Sequence, residues 1–404
     1  MTNPQKLFLR PGHPDFLDLP WDRPFAEWQQ HTERMVELPR GESRHPILFV
    51  NYSGVVYSFK QLPGAVAEKE YHLLSALADL SIPSVEPVGF AEITEQDLDY
   101  SLLITRYLDA SLPYSDLFTQ PNLARYRERL LDALAGLLVE LHISGVYWGD
   151  CSLYNALFRR DAGQLQAYLV DAETAEIHES LSDGQREGDL QIMLENVSGG
   201  LYDLVVAGLL NEEFDAAGTA EAIRRRYLQL WTEVRKEVVL GPEERYKIQE
   251  HVARLHDLGF SIASIELRAS GEGDKLRLKL SVTDRQYHRH QIHSLTGINA
   301  EESQARLLLN EIQEVRAQLA AERGQSIPTS VAAYQWYRHR FRPVVQALKP
   351  SAAMALTEAE LYSQFLEEKW FLSEREQRDV GQTFTLDQLL HQSALKNKKE
   401  NSNG

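Results

Sequence analysis

The chain has 404 residues, 43% hydrophobic and 25% charged, with a formal net charge of −17. That length exceeds what one ordinary core fills, so two domains are expected, in a composition typical of soluble globular proteins. The acidic balance opposes binding to nucleic acid or anionic membranes, the single cysteine excludes a disulfide framework or a cysteine zinc site, and apolar runs such as LVVAGLL from Leu204 are too short to span a bilayer.

The opening MTNPQKLFLRPGHPDF has no apolar segment flanked by a cleavage site, so a cytoplasmic location is expected. Residues 1–34 are rich in Pro, Asp and aromatics without periodicity and are read as an irregular extension. From Met35, MVELP is a short strand candidate, RGESRHP a turn-like link, and ILFVNYSGVVYSFKQL two strands joined by a hairpin turn at Ser53-Gly54. AVAEKEYHLLSALADL places Leu73, Leu74, Leu77 and Leu80 on one helical stripe. The prolines of SIPSVEPVGF break that helix, and YSLLITRYL reads as a buried strand.

Helical spacing is strongest from Leu123 to His142, through Leu130, Leu134, Leu137, Leu138 and Leu141, with Gly145 as the stop signal. ALFRR and LQAYLVDAE flank a DAGQ turn as a second hairpin, and helix resumes from about Asp189 to Val238. Composition changes near LGPEER. Beyond it, HDLGFSIASIELRAS and KLRLKLSVTD form a hairpin about GEGD, and a long helix opens with Asn299 as N-cap candidate. Further helices are expected around TSVAAYQWYRHRF and LTEAELYSQFLEEKWF, and the basic tail from residue 394 is read as disordered.

One set of residues suggests phosphoryl transfer. That chemistry needs a lysine on the ATP phosphates, a carboxylate to orient it, an Asp beside the attacking hydroxyl, and an Asp with an Asn to hold Mg²⁺. Lys60 lies near the end of the VVYSFK strand. On the next helix Glu70 is three and four residues from Leu73 and Leu74 and shares their face, whereas Glu68 points toward Tyr71 and His72, so Glu70 is the expected partner. In GVYWGDCSLYNALF, Asp150 and Asn155 have the D-x-x-x-x-N spacing of a kinase catalytic loop, and Asp171 ends the strand of YLVDAE. Each residue alone has a plain alternative, since Asp and Asn populate turns everywhere.

LHISGVYWGDCSLYN resembles the catalytic loop of small-molecule and lipopolysaccharide kinases, members of the protein-kinase-like superfamily, and LVDAETAE resembles their metal segment. YSFK with KEYHLLSAL is similar to their lysine strand and first helix, and LLITRYL to their hinge strand beside the adenine. RLHDLGFSIASIEL, HRHQIHSLTGINAEESQARLLLNEI and EKWFLSEREQRDVG resemble the C-terminal domain of an uncharacterised bacterial family that joins such a kinase-like domain to a domain of unknown function. The resemblance spans about Met35 to Gly381 and has departures. Trp148 stands where a His is usual, Ala172 replaces an aromatic, and RGESRHP has one glycine where a phosphate-covering loop has several, leaving Ser43 and Arg44 as side-chain donors.

Other features have blander readings. Cys151 is expected to be structural, because neighbouring Asp150 opposes a reactive thiolate. His142 is read as bracing the catalytic loop, and Asp189 as either an anchor for that loop or an ordinary helix-start Asp. His288 and His290 of YHRHQIH would share a strand face as a metal pair or, more simply, a polar or phosphate-contacting surface. Leu307, Leu308, Glu311 and Val315 read as packing, and Trp336, Tyr337 and Trp370 as core or interdomain anchors.

The expectation is an α+β chain in four parts: the 1–34 extension, a two-lobed protein-kinase-like domain over 35–238, a smaller, mostly helical α+β domain over 239–393, and the 394–404 tail. The resemblance implies ATP and Mg²⁺ as cofactors and a small-molecule or glycan hydroxyl as acceptor. Asp150 would be catalytic, Lys60, Glu70, Ser43 and Arg44 would bind nucleotide, and Asn155 and Asp171 would bind metal. A pseudokinase acting through its C-terminal domain is the alternative. A nucleic-acid binder using WYRHRFRPVVQALK is opposed by the acidic balance.

Overall fold

A computed structural model describes residues 4–38, 45–95, 98–162, 164–240, 246–269, 276–282, 284–323, 325–351, 356–378 and 380–400. Two compact units emerge. One contains Met1–Arg159 and Leu165–Lys236, the other Arg160–Gln164 and Glu237–Gly404.

The first unit begins with strand β1 (Lys6–Leu9) and the single-turn helix α1 (Trp28–His31). Next come β2 (Ile47–Tyr52), β3 (Val55–Pro63), α2 (Val66–Asp79), β4 (Pro87–Glu95) and β5 (Leu98–Arg106). These strands make an antiparallel sheet in the order β1-β4-β5-β3-β2. The β2–β3 connection is the two-residue turn expected at Ser53-Gly54, with φ of 53° and 87°, the positive pair that matches the twist of a tight hairpin. The MVELP segment contributes only an isolated bridge, Met35 to Val50.

The irregular-extension reading of residues 1–34 needs correction. β1 pairs with β4 from Lys6↔Glu92 to Leu9↔Gly89, extending the sheet by a strand. Phe16, Leu19, Trp21, Phe25 and Trp28 then pack on the sheet face carrying Tyr57 and Phe59. Each large apolar side chain buried there contributes roughly 1.5–3 kcal/mol. Strand alternation turns Lys60 to the opposite face from Phe59. On α2 the buried residues are Ala67, Glu70, Tyr71, Leu74 and Leu77, while Leu80 is exposed at the helix end, contrary to the stripe expected from sequence.

The second lobe of this unit holds β6 (Ser111–Leu112), α3 (Tyr114–Thr119), α4 (Arg127–Ile143), β7 (Val146–Tyr147), most of β8 (Ala156–Asp161) and β9 (Gln164–Leu169), whose residues Arg160–Gln164 belong to the other unit, and β10 (Glu176–Ile177). Helices α5 (Asp183–Val206) and α6 (Ala216–Arg235) complete it. α4 is buried on nearly every face from Leu130 to His142, as a helix at the centre of a lobe must be. It stops at Gly145, whose φ of 78° and approach to the His178 carbonyl leave no room for a Cβ. A reciprocal capping box between Ser182 and Gln185 opens α5.

The second unit contains β11 (Val238–Leu240), α7 (Tyr246–Asp257), β12 (Ile262–Ala269), β13 (Leu276–Val282), α8 (Tyr287–Thr296) and α9 (Glu302–Arg323). It continues with α10 (Thr329–Trp336), α11 (Arg342–Leu348), α12 (Glu358–Glu376) and α13 (Gly381–Glu400). The three strands form an antiparallel sheet in the order β11-β13-β12. Its helical core gathers Ile292, Leu308, Ile312, Trp336, Phe341 and Tyr362.

Four expectations change here. α9 begins at Glu302 without Asn299 as its cap; the amides of Ser303 and Gln304 donate instead to the Asp161 carboxylate, at 2.8 and 2.7 Å. YHRHQIH is helical, so His288 and His290 share no strand face, and His288 Nδ1 lies 2.6 Å from Glu302. Trp336 is buried, but Trp370 is 58% exposed and is no core anchor. Finally, α13 continues to Glu400, so residues 394–400 are helical rather than disordered, in keeping with their Ala, Leu and Lys content.

Candidate active site

The site forms within the first unit, where β3 and α2 meet the loops after α4 and β9. Lys60 Nζ stands 3.4 Å from both carboxylate oxygens of Glu70 and 2.7 Å from Asp171 Oδ2. The Lys60 side chain is 12% exposed, that of Glu70 is fully buried, and that of Asp171 is 29% exposed, so the open end of the cluster is at Asp171. Glu68 is on the surface and bonds Lys6 instead. Glu70, on the buried face of α2, is therefore the helix carboxylate that meets Lys60, as expected from its spacing.

Charge and burial compete in this cluster. Burial alone would lower the Lys60 ammonium, but Glu70 and Asp171 outweigh it and hold the group above its usual value. Burial pushes Glu70 up to about 7; Lys60 opposes that shift and Asp171 adds to it. The Ala172 amide also donates to Glu70, at 3.4 Å, tying the Asp171 segment to α2. Ala172 is itself fully buried.

Asp150 and Asn155 meet as their spacing implied. Asn155 Nδ2 donates to the Asp150 carbonyl and to its Oδ2, each at 3.0 Å. A third partner, which no local motif marks, comes from α5: Asn196 Nδ2 donates to Asp150 Oδ1 at 2.8 Å. The loop backbone hangs on Asp189, whose carboxylate accepts from the amides of Trp148 at 2.8 Å and Gly149 at 2.9 Å. Asp189 is fully buried, so of its two readings the loop anchor is the one observed. His142 Nε2 lies 3.1 Å from the same carboxylate, and its Nδ1 is 2.7 Å from the Tyr227 hydroxyl, which accepts from Arg186 at 3.2 Å. Arg186 can only donate and an ionised Asp189 only accept, so the four groups form a chain running from guanidinium to carboxylate.

Trp148 has a definite position. It is fully buried, and its indole N–H donates to the Asp171 carbonyl at 3.3 Å. Its own carbonyl accepts from the Thr174 hydroxyl at 2.9 Å. The tryptophan thus links the Asp150 loop to the Asp171 segment. Cys151 is fully buried, and burial, with Asp189 and Asp150 adding to it, raises its thiol well above the ordinary value, which leaves it inert. Ser43 and Arg44 lie outside the described residues. Among the described residues, no cluster of three or more His, Cys, Asp or Glu could hold a metal, the YHRHQIH histidines included. Nor is any described helix long and apolar enough to cross a membrane.

The Asn155 amide oxygen and the Asp171 carboxylate are each ligand types that suit a hard cation such as Mg²⁺, which takes few protein ligands and keeps phosphate and water for the rest. A lysine held by carboxylates beside such a pair can neutralise phosphate charge. A carboxylate oriented by amides can receive a hydroxyl proton.

Residues 53–217 match the lipopolysaccharide kinase (Kdo/WaaP) family, and residues 229–393 match a domain of unknown function, DUF4032. No curated protein matches the chain. Among solved structures, WaaP in complex with acyl carrier protein is 17% identical with a TM-score of 0.36, over 62% of this chain and 97% of that one. The BubR1 kinase domain is 16% identical with a TM-score of 0.28, over 37% of this chain and 48% of that one. The protein therefore carries a kinase-like domain of the lipopolysaccharide kinase (Kdo/WaaP) family, followed in the same chain by a DUF4032 domain.

Proposed function

We propose that the first unit transfers the γ-phosphoryl group of ATP to a hydroxyl of a sugar-type acceptor. The observation that carries this reading is the Lys60 ammonium, shared between Glu70 of one lobe and Asp171 of the other. Asp150 and Asn155 are bonded to each other in the neighbouring loop. The sugar-type acceptor follows from the family's description as lipopolysaccharide kinases.

In this mechanism Lys60, oriented by Glu70, binds the phosphates. Asn155 and Asp171 would hold Mg²⁺, which would supply positive charge against the phosphates. Asp150 orients the acceptor hydroxyl and receives its proton as the oxygen bonds to the γ-phosphorus, while the bond from that phosphorus to the β,γ-bridging oxygen breaks and ADP leaves. The residues contribute mainly position and charge stabilisation, with no covalent intermediate on the protein. A cytoplasmic location remains part of the proposal, since ATP is the phosphoryl donor.

Calorimetric titration of Mg·ATP into the wild type and into Asp171→Ala tests this. Saturable, Mg²⁺-dependent binding that the substitution weakens at least about tenfold is expected for a removed charged ligand. Absence of binding at millimolar nucleotide defeats the kinase mechanism and favours a scaffold acting through the second unit.

A further inference from the structure

We propose that Asn196 is the positioning residue that fixes the carboxylate of Asp150 for phosphoryl transfer, a role that rests on the kinase reading of this site. Its amide nitrogen donates to Asp150 Oδ1 at 2.8 Å, while that of Asn155 donates to Oδ2 at 3.0 Å. One donor on each oxygen sets the plane of the carboxylate and hence the direction of the lone pair that meets the acceptor hydroxyl. Both donors are neutral, so they orient Asp150 without placing a counter-charge beside it.

The two asparagines are not equivalent. Asn155 belongs to the same loop as Asp150 and also bonds the Asp150 carbonyl. Asn196 comes from α5 and has no part in the proposed metal set, so its bond serves orientation alone. Asparagine is a poor residue for a helix interior, which points to a tertiary role at this position.

α5 is built to receive the loop. Asp189 and Asn196 are seven residues apart, two helical turns, and so share a face. Asp189 holds the loop backbone at Trp148 and Gly149, and Asn196 holds the side chain of the next residue. One turn further, Gly200 lies against Tyr154, where an added Cβ would stand 2.9 Å from the ring. The same face thus offers an anchor for the backbone, an anchor for the carboxylate and a bare seat for the end of the loop.

The test is steady-state hydrolysis of Mg·ATP, with water as acceptor, by the full chain carrying Asn196→Leu, which removes the donor at similar volume. Asn196→Ala, which removes the donor without adding a charge, provides a second variant should the first fail to fold. In both, kcat and kcat/KM are expected to fall together by about 10- to 100-fold, the value of one hydrogen bond to a charged group. The calorimetric Kd for Mg·ATP and the melting temperature should stay at wild-type values, which a merely structural residue would not permit. Wild-type turnover in both variants, or a loss of turnover that follows loss of binding or folding, overturns the inference alone. A wild type without turnover at saturating Mg·ATP overturns the kinase reading and this inference with it.

Discussion

Replacement of Asp189 by alanine should cripple the fold of the first unit as well as any activity. The carboxylate is fully buried and is an acceptor for the Trp148 and Gly149 amides and a neighbour of the His142 ring nitrogen. Asp189→Ala leaves three polar groups without that partner. At ~1–3 kcal/mol for each unsatisfied group, with relaxation and water entry favouring the low end, the loss comes to about 3–5 kcal/mol. A domain is stable by only about 5–15 kcal/mol, so much of the margin disappears. Urea denaturation followed by circular dichroism measures the loss. Hydrogen exchange of peptides spanning residues 145–155 locates it, because the two amides should become among the fastest exchanging. Asp150→Ala is the control: that side chain is half-buried, and the asparagine amides it leaves can turn to water, so less than about 1 kcal/mol is expected. An Asp189→Ala protein as stable as the wild type, with its loop amides still protected, would refute the anchoring argument.

Two further outcomes follow from buried carboxylates. Glu70 is raised by burial to about 7 from 4.5, so its favourable contribution is complete below about pH 4.5 and is lost as pH rises through about 7. Glu70→Gln should therefore gain stability relative to the wild type as pH rises between those limits, and parallel stability curves in urea titrations would contradict this. Asp161→Ala removes the acceptor for the first amides of α9 and should lower stability by ~1–2 kcal/mol, read as a fall in melting temperature that a surface Asp→Ala control does not show.

The residues that face the cluster were legible because short-range rules decide them. Lys60 and Phe59 alternate across a strand, and three- and four-residue spacing put Glu70, not Glu68, on the buried side of α2. The loop carried its own spacing, and the Ser53-Gly54 turn its own chemistry. What escaped was set by distant partners. Asn196 looks like any polar helical residue until α5 is laid along the loop. The cap of α9 comes from Asp161, more than a hundred residues upstream, so the nearby Asn299 was a reasonable but wrong choice. YHRHQIH fits either period over so few residues, and the capture of His288 by Glu302 favours the helix. The opening segment has no periodicity because its aromatics are spaced to fit gaps on the sheet, not to follow a helix or strand.

That segment has a consequence for how the chain matures. β1 lines up against β4, with Lys6 opposite Glu92, 86 residues downstream. During synthesis it leaves the ribosome well before its partner, and Trp21, Phe25 and Trp28 emerge before the β3 face that covers them. Loop-closure entropy delays such long-range pairing, and a protein built this way passes through a stage in which its most aromatic stretch has nothing to bind. The β2–β3 and β4–β5 hairpins each pair adjacent residues and close short loops, whereas the β1–β4 pairing must close a far longer one.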